Sequence, residues 1–557
     1  MKADEELGGP DRGMAFETDD EDNLADHHYG SHASSLSSDT SSSHSDDDDH
    51  LGGDPSSYQT TWPVSYRQSI DVFSSVPSPK VGFLAASSLV EKGSSFLRAE
   101  GSFLRPGASM LSNHDQEAAA RHLVKPLLPP HPSFAAPDHG SVVLPSDGAH
   151  RGSFAFSSYV ELPPPRQCST AQAVINGLNV LCGVGILSIP YAVKEGGWVG
   201  MFFLFALGSI SFYTGMLLKR CLDSLPGLKT YPDIGQAAFG LSGRLFISIV
   251  LYLELYGCCV EYITLVGDNL ASIFPDASLN FLGAELSSSQ IFAITTAFAV
   301  LPTVWLKNLS LLSYLSAGGV LATLLVVLCL LWVGVVDQVG FHPGGSVLNL
   351  MDLPVALGLY GFCYSGHSVF PNIYSSMEVP SQFPFVLMIC FVVCTSLYAG
   401  VAAVGYLMFG DSLKSQFTLN MPHQYLISKV AVWTTVVNPL SKYALTMTPV
   451  ALSLEELLPS TSQSNFVMLL MRTFLVFSTL VVALAVPFFA SVMALLGSVF
   501  TMLVALILPC ACYLSIKRKS VSFQEVLWCV FVIIIGLVCS LVGSYSSIKQ
   551  MIDQTKN

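Results

Sequence analysis

The chain has 557 residues, of which 51% are hydrophobic and only 12% charged, with a formal net charge of −14 and a mean hydropathy of +0.53. Soluble domains carry roughly 25% charged residues, so this composition excludes an ordinary soluble protein and points to one solvated by lipid. Much of the negative charge lies ahead of the first apolar run, in stretches such as Asp19–Asn23 and Asp46–Asp49, and there is no basic field suited to nucleic acid.

In chain order, residues 1–165 are poor in aliphatics and rich in Ser, Asp, His, Pro and Gly. The run Ser34–Asp49 cannot bury enough apolar surface to offset chain entropy. The segment therefore reads as a disordered, acidic, Ser-rich tail, closed by Leu162–Pro165, with residues 166–557 forming the membrane domain. The start, MKADEELGG, has no apolar signal segment, so the first span is expected to act as the insertion signal. The cysteines are absent from the tail and lie mostly in apolar runs, without metal-ligand spacing, which predicts small buried hydrophobes.

From Ser169 onward, apolar stretches long enough to cross a hydrocarbon core of ~30 Å recur. Spans are predicted near 170–194, 198–220, 244–273, 288–306, 310–336, 353–378, 384–409, 425–450, 466–486, 488–516 and 522–546, with Val486–Ala490 a minimal hairpin between the ninth and tenth. Basic residues in short loops set the orientation. Lys219–Lys229, Arg244, Lys307 and Lys517–Lys519 all fall on one side, opposite the acidic or neutral loops Pro275–Glu285 and Val336–Gly345. Lys414, Lys429 and the pair Glu455–Glu456 run against this pattern. The balance predicts a cytosolic N-terminus, and places the glycosylation-like triplet Asn308–Ser310 in a cytosolic loop where it has no meaning.

The first span is interrupted. Leu181–Tyr191 reads LCGVGILSIPY, and Gly and Pro cost a helix interior ~1 and ~3 kcal/mol respectively. Freed backbone groups at membrane depth persist only inside protein or beside a water-filled cavity. The sixth span, Leu359–Pro380, repeats the device: Gly366 precedes Pro371 by five residues, as Gly185 precedes Pro190. Paired interrupted spans in corresponding halves point to an inverted-repeat transporter, here spans 1–5 and 6–10 with an appended eleventh. Each break exposes N–H groups at one half-helix end and C=O groups at the other. Together these suit the carboxylate and ammonium of an amino acid. Gly183, Val184, Gly185, Phe362, Tyr364, Ser365 and Gly366 are the candidate substrate contacts, with Asn176 a further candidate.

Glu254, Glu261 and Asp268 are spaced by seven along the third span. A charged carboxylate at the bilayer centre costs about 2.5–3.5 kcal/mol, and burial raises a carboxyl pKa toward neutrality. Glu254 or Glu261 is therefore the expected proton carrier, with Asp268 a solvated cap. His367, at the second break, is a candidate gate or pH sensor. Thr434, Thr435 and Asn438 of the eighth span form a candidate ion or polar site, and Lys442 is expected to snorkel to the boundary.

Asn179–Trp198 and Tyr364–Pro384 resemble the amino acid/auxin permease family, and within it the plant and yeast vacuolar amino-acid transporters, relatives of the vesicular inhibitory amino-acid transporter. The resemblance covers about Ser169 to Tyr545. It implies an all-α integral membrane protein of about eleven transmembrane helices, with a LeuT-like 5+5 inverted repeat and broken helices 1 and 6. It also implies proton-coupled secondary transport of amino acids, expected to be neutral, across a vacuolar or other endomembrane; the plasma membrane is the alternative. The expected partners are the amino-acid substrate, protons and the lipid bilayer. No cofactor, metal, nucleic acid or enzymatic activity is expected, and the absence of a P-loop argues against an ATP-driven pump. An amino-acid sensor of the same fold and an auxin-type permease remain alternative readings.

Overall fold

The computed structural model describes residues 62–74, 168–281, 284–306, 318–337, 339–342, 344–459 and 464–556. All of them belong to one compact unit, Leu51–Asn557. The Asn308–Ser310 triplet and the rest of the predicted tail lie outside the described residues.

A short helix, α1 (Tyr66–Ser74), precedes the bundle. The first span is split into α2 (Thr170–Leu181) and α3 (Ile189–Gly196), and α4 (Gly200–Leu222) is the second. The third is α5 (Tyr231–Ile273), followed by a hairpin of β1 (Leu279–Phe281) and β2 (Ala284–Leu286), antiparallel with Leu279 opposite Leu286. Next come α6 (Ser288–Trp305), α7 (Gly319–Val335), α8 (Leu353–Cys363), α9 (Phe370–Ser376), α10 (Phe383–Phe409) and α11 (Leu426–Leu457). The chain ends with α12 (Asn465–Ala485), α13 (Phe489–Leu496), a π-helix Gly497–Ile507, α14 (Leu508–Ile516) and α15 (Phe523–Lys556).

Among the described residues, seven helical stretches are long and apolar enough to cross a membrane, or eight when α2 and α3 count as one bent span. The shorter α7, the α8–α9 pair and the more polar α11 stand where the fifth, sixth and eighth spans were expected. The arrangement is consistent with the predicted eleven.

Local chemistry explains the boundaries. Ser169 caps α2 by accepting from the Gln172 N–H, and Thr230 with Asp233, and Ser287 with Gln290, form reciprocal capping boxes on α5 and α6. The third span starts earlier than expected because α5 contains a sharp turn at Phe239–Gly240, where Gly240 has φ +68. Only glycine enters that region without strain. The turn folds residues 231–238 back, and the buried Arg244–Asp233 ion pair, at 2.6 Å, ties the two limbs.

The helices sort into two packed groups. The α2–α3 pair packs on α10 and α8, and α10 also packs on α4, whereas α5 lies along α11 and α6 and is covered by α12. The π-helix packs on α8 and α15. Here Gly358 and Gly497 let two backbones touch: a Cβ on Gly497 would lie 1.9 Å from the Gly358 carbonyl oxygen. Large exposed apolar side chains on α7, α12 and α15, such as Leu321, Phe474 and Leu541, form the outer surface that lipid would cover.

The disorder expected for residues 1–165 does not hold over 62–74. Tyr66 and Ile70, one helical turn apart, are 1% and 0% exposed. The Trp62 indole donates to the Ser453 carbonyl at 2.8 Å, and the Glu456 carboxylate accepts from the Val64 and Ser65 N–H groups at 2.9 and 2.5 Å. Arg244 donates to the Trp62 and Pro63 carbonyls. This short stretch buries its apolar side chains on the bundle and satisfies its polar backbone there, which a composition average over the whole tail conceals.

Candidate functional site

The first break begins where α2 ends at Leu181. Cys182 leaves helical geometry, Gly183 is extended, and Val184–Ser188 form a 3-10 turn before α3 resumes with Pro190 in its first turn. The two halves are bent by 46°. The last carbonyls of α2 are taken by side chains from three other helices. Asn179 O accepts from Lys442 Nζ on α11 at 3.3 Å, Leu181 O from the Tyr398 hydroxyl on α10, and Cys182 O from Thr323 on α7 at 3.2 Å. Lys442 therefore points into the bundle, correcting the expectation that it snorkels to a boundary.

The second break mirrors the first. The end of α8 is Cys363, the chain unwinds through Tyr364–Val369, and α9 starts with Pro371 in its first turn. Cys363 O also faces the Tyr398 hydroxyl, at 3.2 Å, so one side chain joins the carbonyl ends of both half-helices. His367 turns its Nε2 toward α4. Its Nε2 donates to the Ser211 carbonyl at 3.1 Å and lies 3.0 Å from Thr214 Oγ1, both on α4, and its ring packs 4.9 Å from Phe370. Tyr364 likewise points toward α4, its hydroxyl donating to Leu204 O at 3.1 Å beside Thr395.

A narrow cleft opens at the first break. Gly183, Val184, Ile186 and Leu187 line one wall, Ala322, Thr323 and Val326 of α7 a second, and Thr434, Thr435, Asn438 and Pro439 of α11 the third. Two predicted sets, the backbone at Gly183–Val184 and the hydroxyls of the eighth span, thus meet. Gly185 is placed differently from expectation: a Cβ there would lie 2.9 Å from Cys363 Sγ and 3.4 Å from Phe362 Cδ1. It is a contact between the two broken spans, and the open space is beside Gly183, whose Cβ would meet nothing nearer than 3.8 Å. Gly366 packs closely on Phe370 and Leu181, Phe362 is buried against Gly185, and Ser365 is half-buried at the turn, its N–H donating to Phe362 O. Asn176 is buried on α2, its amide 3.8 Å from Cys168 Sγ, away from the cleft's lining.

A family model for transmembrane amino acid transporter protein matches residues 166–552, all of this bundle but the last turn of α15. The chain belongs to that family. It is 53% identical to amino acid transporter AVT1C of Arabidopsis thaliana, over 98% of this chain and 99% of the relative, and 52% identical to AVT1B of the same plant, over 98% of each. Among solved structures it is similar to MhsT in complex with L-phenylalanine at 12% identity and a TM-score of 0.46, covering 67% of this chain and 98% of that one, a likeness too loose to carry an argument.

The transporter's third span holds its carboxylates in three environments. Glu254 accepts a hydrogen bond from Thr501 at 3.1 Å, on the π-helix of the tenth span. Both Glu261 carboxylate oxygens are buried without a hydrogen-bond partner among the described residues. Asp268 is more than a solvated cap: it accepts from Ser289 at 3.2 Å and from Gln416 at 3.5 Å, and borders a second cavity lined by Tyr191, Lys414 and Gln554. Sequence reasoning missed Tyr398 and Thr323, which look like ordinary residues of apolar helices, and the π-helix, which has no composition signal.

Proposed function

We propose that this transporter carries neutral amino acids across an endomembrane by alternating access, coupled to protons, with its N-terminus in the cytosol. The carrying observation is the meeting of the two interrupted spans, whose carbonyl ends share Tyr398 beside a cleft at Gly183–Val184. The N–H groups that open the 3-10 turn suit a substrate carboxylate, and the side-chain oxygens of Thr434, Thr435 and Asn438 across the cleft suit its ammonium. Among the described residues, the cleft lining contains no charged side chain, which favours an uncharged substrate side chain. Phe362 and Gly185 close the space between the broken spans, and Tyr364, Ser365 and Gly366 set the second break.

Proton coupling draws support from Glu254 and Glu261, carboxyl groups buried in a spanning helix, one of them without any partner. Orientation draws support from the basic loops and from the fate of the acidic exceptions. Glu455 is paired with Arg472 at 2.6 Å, and Glu456 is bound by backbone N–H groups, so neither adds free negative charge on that side. The vacuolar or other endomembrane location follows the resemblance of the two break motifs to vacuolar members.

The test is counterflow in proteoliposomes with radiolabelled L-leucine, L-glutamine and L-tyrosine, and L-arginine and L-glutamate as charged controls, with and without an imposed pH gradient. Saturable exchange of the neutral set, net uptake on imposing the gradient, and a weakened gradient response in Glu261→Gln or Glu254→Gln are expected. Binding without counterflow overturns the reading in favour of a sensor. Exchange that ignores the gradient removes proton coupling.

A further inference from the structure

The carbonyl end of a half-helix attracts positive charge, and at the first break the chain supplies that charge itself. Lys442 is 6% exposed, and its ammonium donates to the Asn179 carbonyl, in the last turn of α2. Among the described residues, no carboxylate lies within ion-pair distance of it. An ammonium has three donors, and the contact to Asn179 O uses one. A second acceptor stands by: Asn179 Oδ1 is buried without a partner among the described residues. The spot is confined by Gly319 of α7, where a Cβ would lie 2.7 Å from that Oδ1 and 3.2 Å from Lys442 Nζ. Thr435, Asn438 and Lys442 follow one another at spacings of three and four along α11, so the lysine lies on the cleft-lining face, one turn beyond the cleft.

A structural lysine in a core is normally held by a carboxylate, because an unpaired buried charge is costly. A lysine that only covers lipid-facing surface keeps its head at a boundary. Lys442 does neither. It stands at the carbonyl pole of a broken helix, held by a main-chain dipole alone, and so its hold on α2 depends on its charge. The residue type matters as well: lysine exchanges its proton readily when buried, whereas arginine stays charged.

We propose that Lys442 is the transporter's built-in coupling cation, holding the carbonyl end of the first half-helix and exchanging its proton with water as the transport cycle turns. With the proton on, the ammonium binds Asn179 O and secures α2 against α11. With the proton released to water, the neutral amine loses most of that attraction and the half-helix is freed to move. Among the described residues, the titratable groups around it are few. Cys182, at the end of α2, is its electrostatic neighbour, with a thiol 3.2 Å from Cys394 Sγ of α10. On the neighbouring turn, Cys259 of α5 lies against Tyr443 O, and the Tyr443 hydroxyl pairs with Thr479 of α12. Among the described residues, the carboxylates of α5 make no ion pair with it, and α7 meets it at Gly319, one turn from Thr323.

The proposal rests on the proton-coupled reading above, and its test separates the two. Wild type, Lys442→Arg and Lys442→Met are compared in proteoliposomes with labelled L-leucine, L-glutamine and L-tyrosine, in sodium and in choline media, by counterflow at equal pH and by uptake under a pH gradient. Wild type is expected to respond to the gradient equally in both media. Gradient-driven uptake should fall more than tenfold in both variants, whereas counterflow should fall less than fivefold in Lys442→Met, whose half-helix is free to move, and more than tenfold in Lys442→Arg, whose fixed charge keeps α2 secured. Full gradient response in the variants, with loss in Glu261→Gln, overturns the proposal and leaves proton coupling standing. Wild-type uptake that needs sodium or ignores the gradient overturns both. Gly319→Ala, which crowds Lys442 without removing it, guards against misfolded lysine variants. It should shift the pH midpoint of uptake, and an unchanged pH profile counts against the proposal.

Discussion

Tyr398 sets one hydroxyl against two main-chain carbonyls, Leu181 O and Cys363 O, each the last acceptor of a half-helix. A buried carbonyl left without a donor costs about 1–3 kcal/mol. Tyr398→Phe keeps the ring but leaves Cys363 O without its donor, Leu181 O retaining the Gly183 N–H at 2.7 Å, so transport is expected to fall about tenfold at normal protein levels, from the 1.4 kcal/mol per decade that relates energy to rate; transport at the wild-type rate would show the bridge to be idle. Gly183 gives the complementary case. Its Cβ would enter open space at the cleft, so Gly183→Leu should insert and fold normally yet abolish counterflow. Gly185→Leu, forced onto Cys363, should lower thermal stability as well. The glycine–proline spacing made both breaks readable from sequence, because helix breaking is a local property. Tyr398, Thr323 and Lys442 were not readable as site residues, because their partners are main-chain carbonyls that only the folded bundle brings to them.

Most of the spans were predicted within a few residues, since a long apolar stretch has few other fates in lipid. The exceptions are shorter than that signal. The π-helix Gly497–Ile507 has the composition of any buried helix, and its wider turn is fixed by close contact at Gly358 and by Thr501 reaching Glu254. Helix α1 is a nine-residue segment inside a low-complexity tail, and only its two buried anchors, four residues apart, mark it. Its docking should depend on pH. Burial raises the pKa of the Asp71 carboxyl above the usual carboxylate value, against the opposing pulls of its Asn372 hydrogen bond and of Arg67. A raised pKa in the docked state means the docked form binds the proton more tightly, so docking is favoured below that pKa and weakens as pH rises through it. Limited proteolysis of the 62–74 segment should slow as pH is lowered into the window just above the ordinary carboxylate range. Asp71→Asn should remove that dependence; a variant that keeps it would assign the titration elsewhere.

At the scale of the whole molecule, the two packed groups meet at few polar points. Lys442 to Asn179 joins them at the first break, and the 62–74 segment joins them at one end of the bundle. That segment binds Ser453 and Glu456 of α11 and Arg244 of α5 on one side, and the Ser368 carbonyl and Asn372 of the second broken span on the other. Any rocking of one group against the other that opens this end must first break these contacts. The chain entering α2 lies on the same side of the second broken span: Cys168 pairs with Met377 through Cys168 N to Ser376 O at 3.1 Å and Glu378 N to Cys168 O at 2.9 Å, and its thiol is buried. Cys168 is thus a reporter for opening. Replacing Trp62 and Tyr66 together by Ala removes the indole donor to α11 and the hydroxyl donor to Ser368 while leaving the bundle's own packing untouched. Labelling of Cys168 by a membrane-impermeant maleimide, followed by mass spectrometry, should rise severalfold in that variant. Labelling equal to wild type would mean that the helices hold this end closed without the segment, and that its docking is a passenger of the fold.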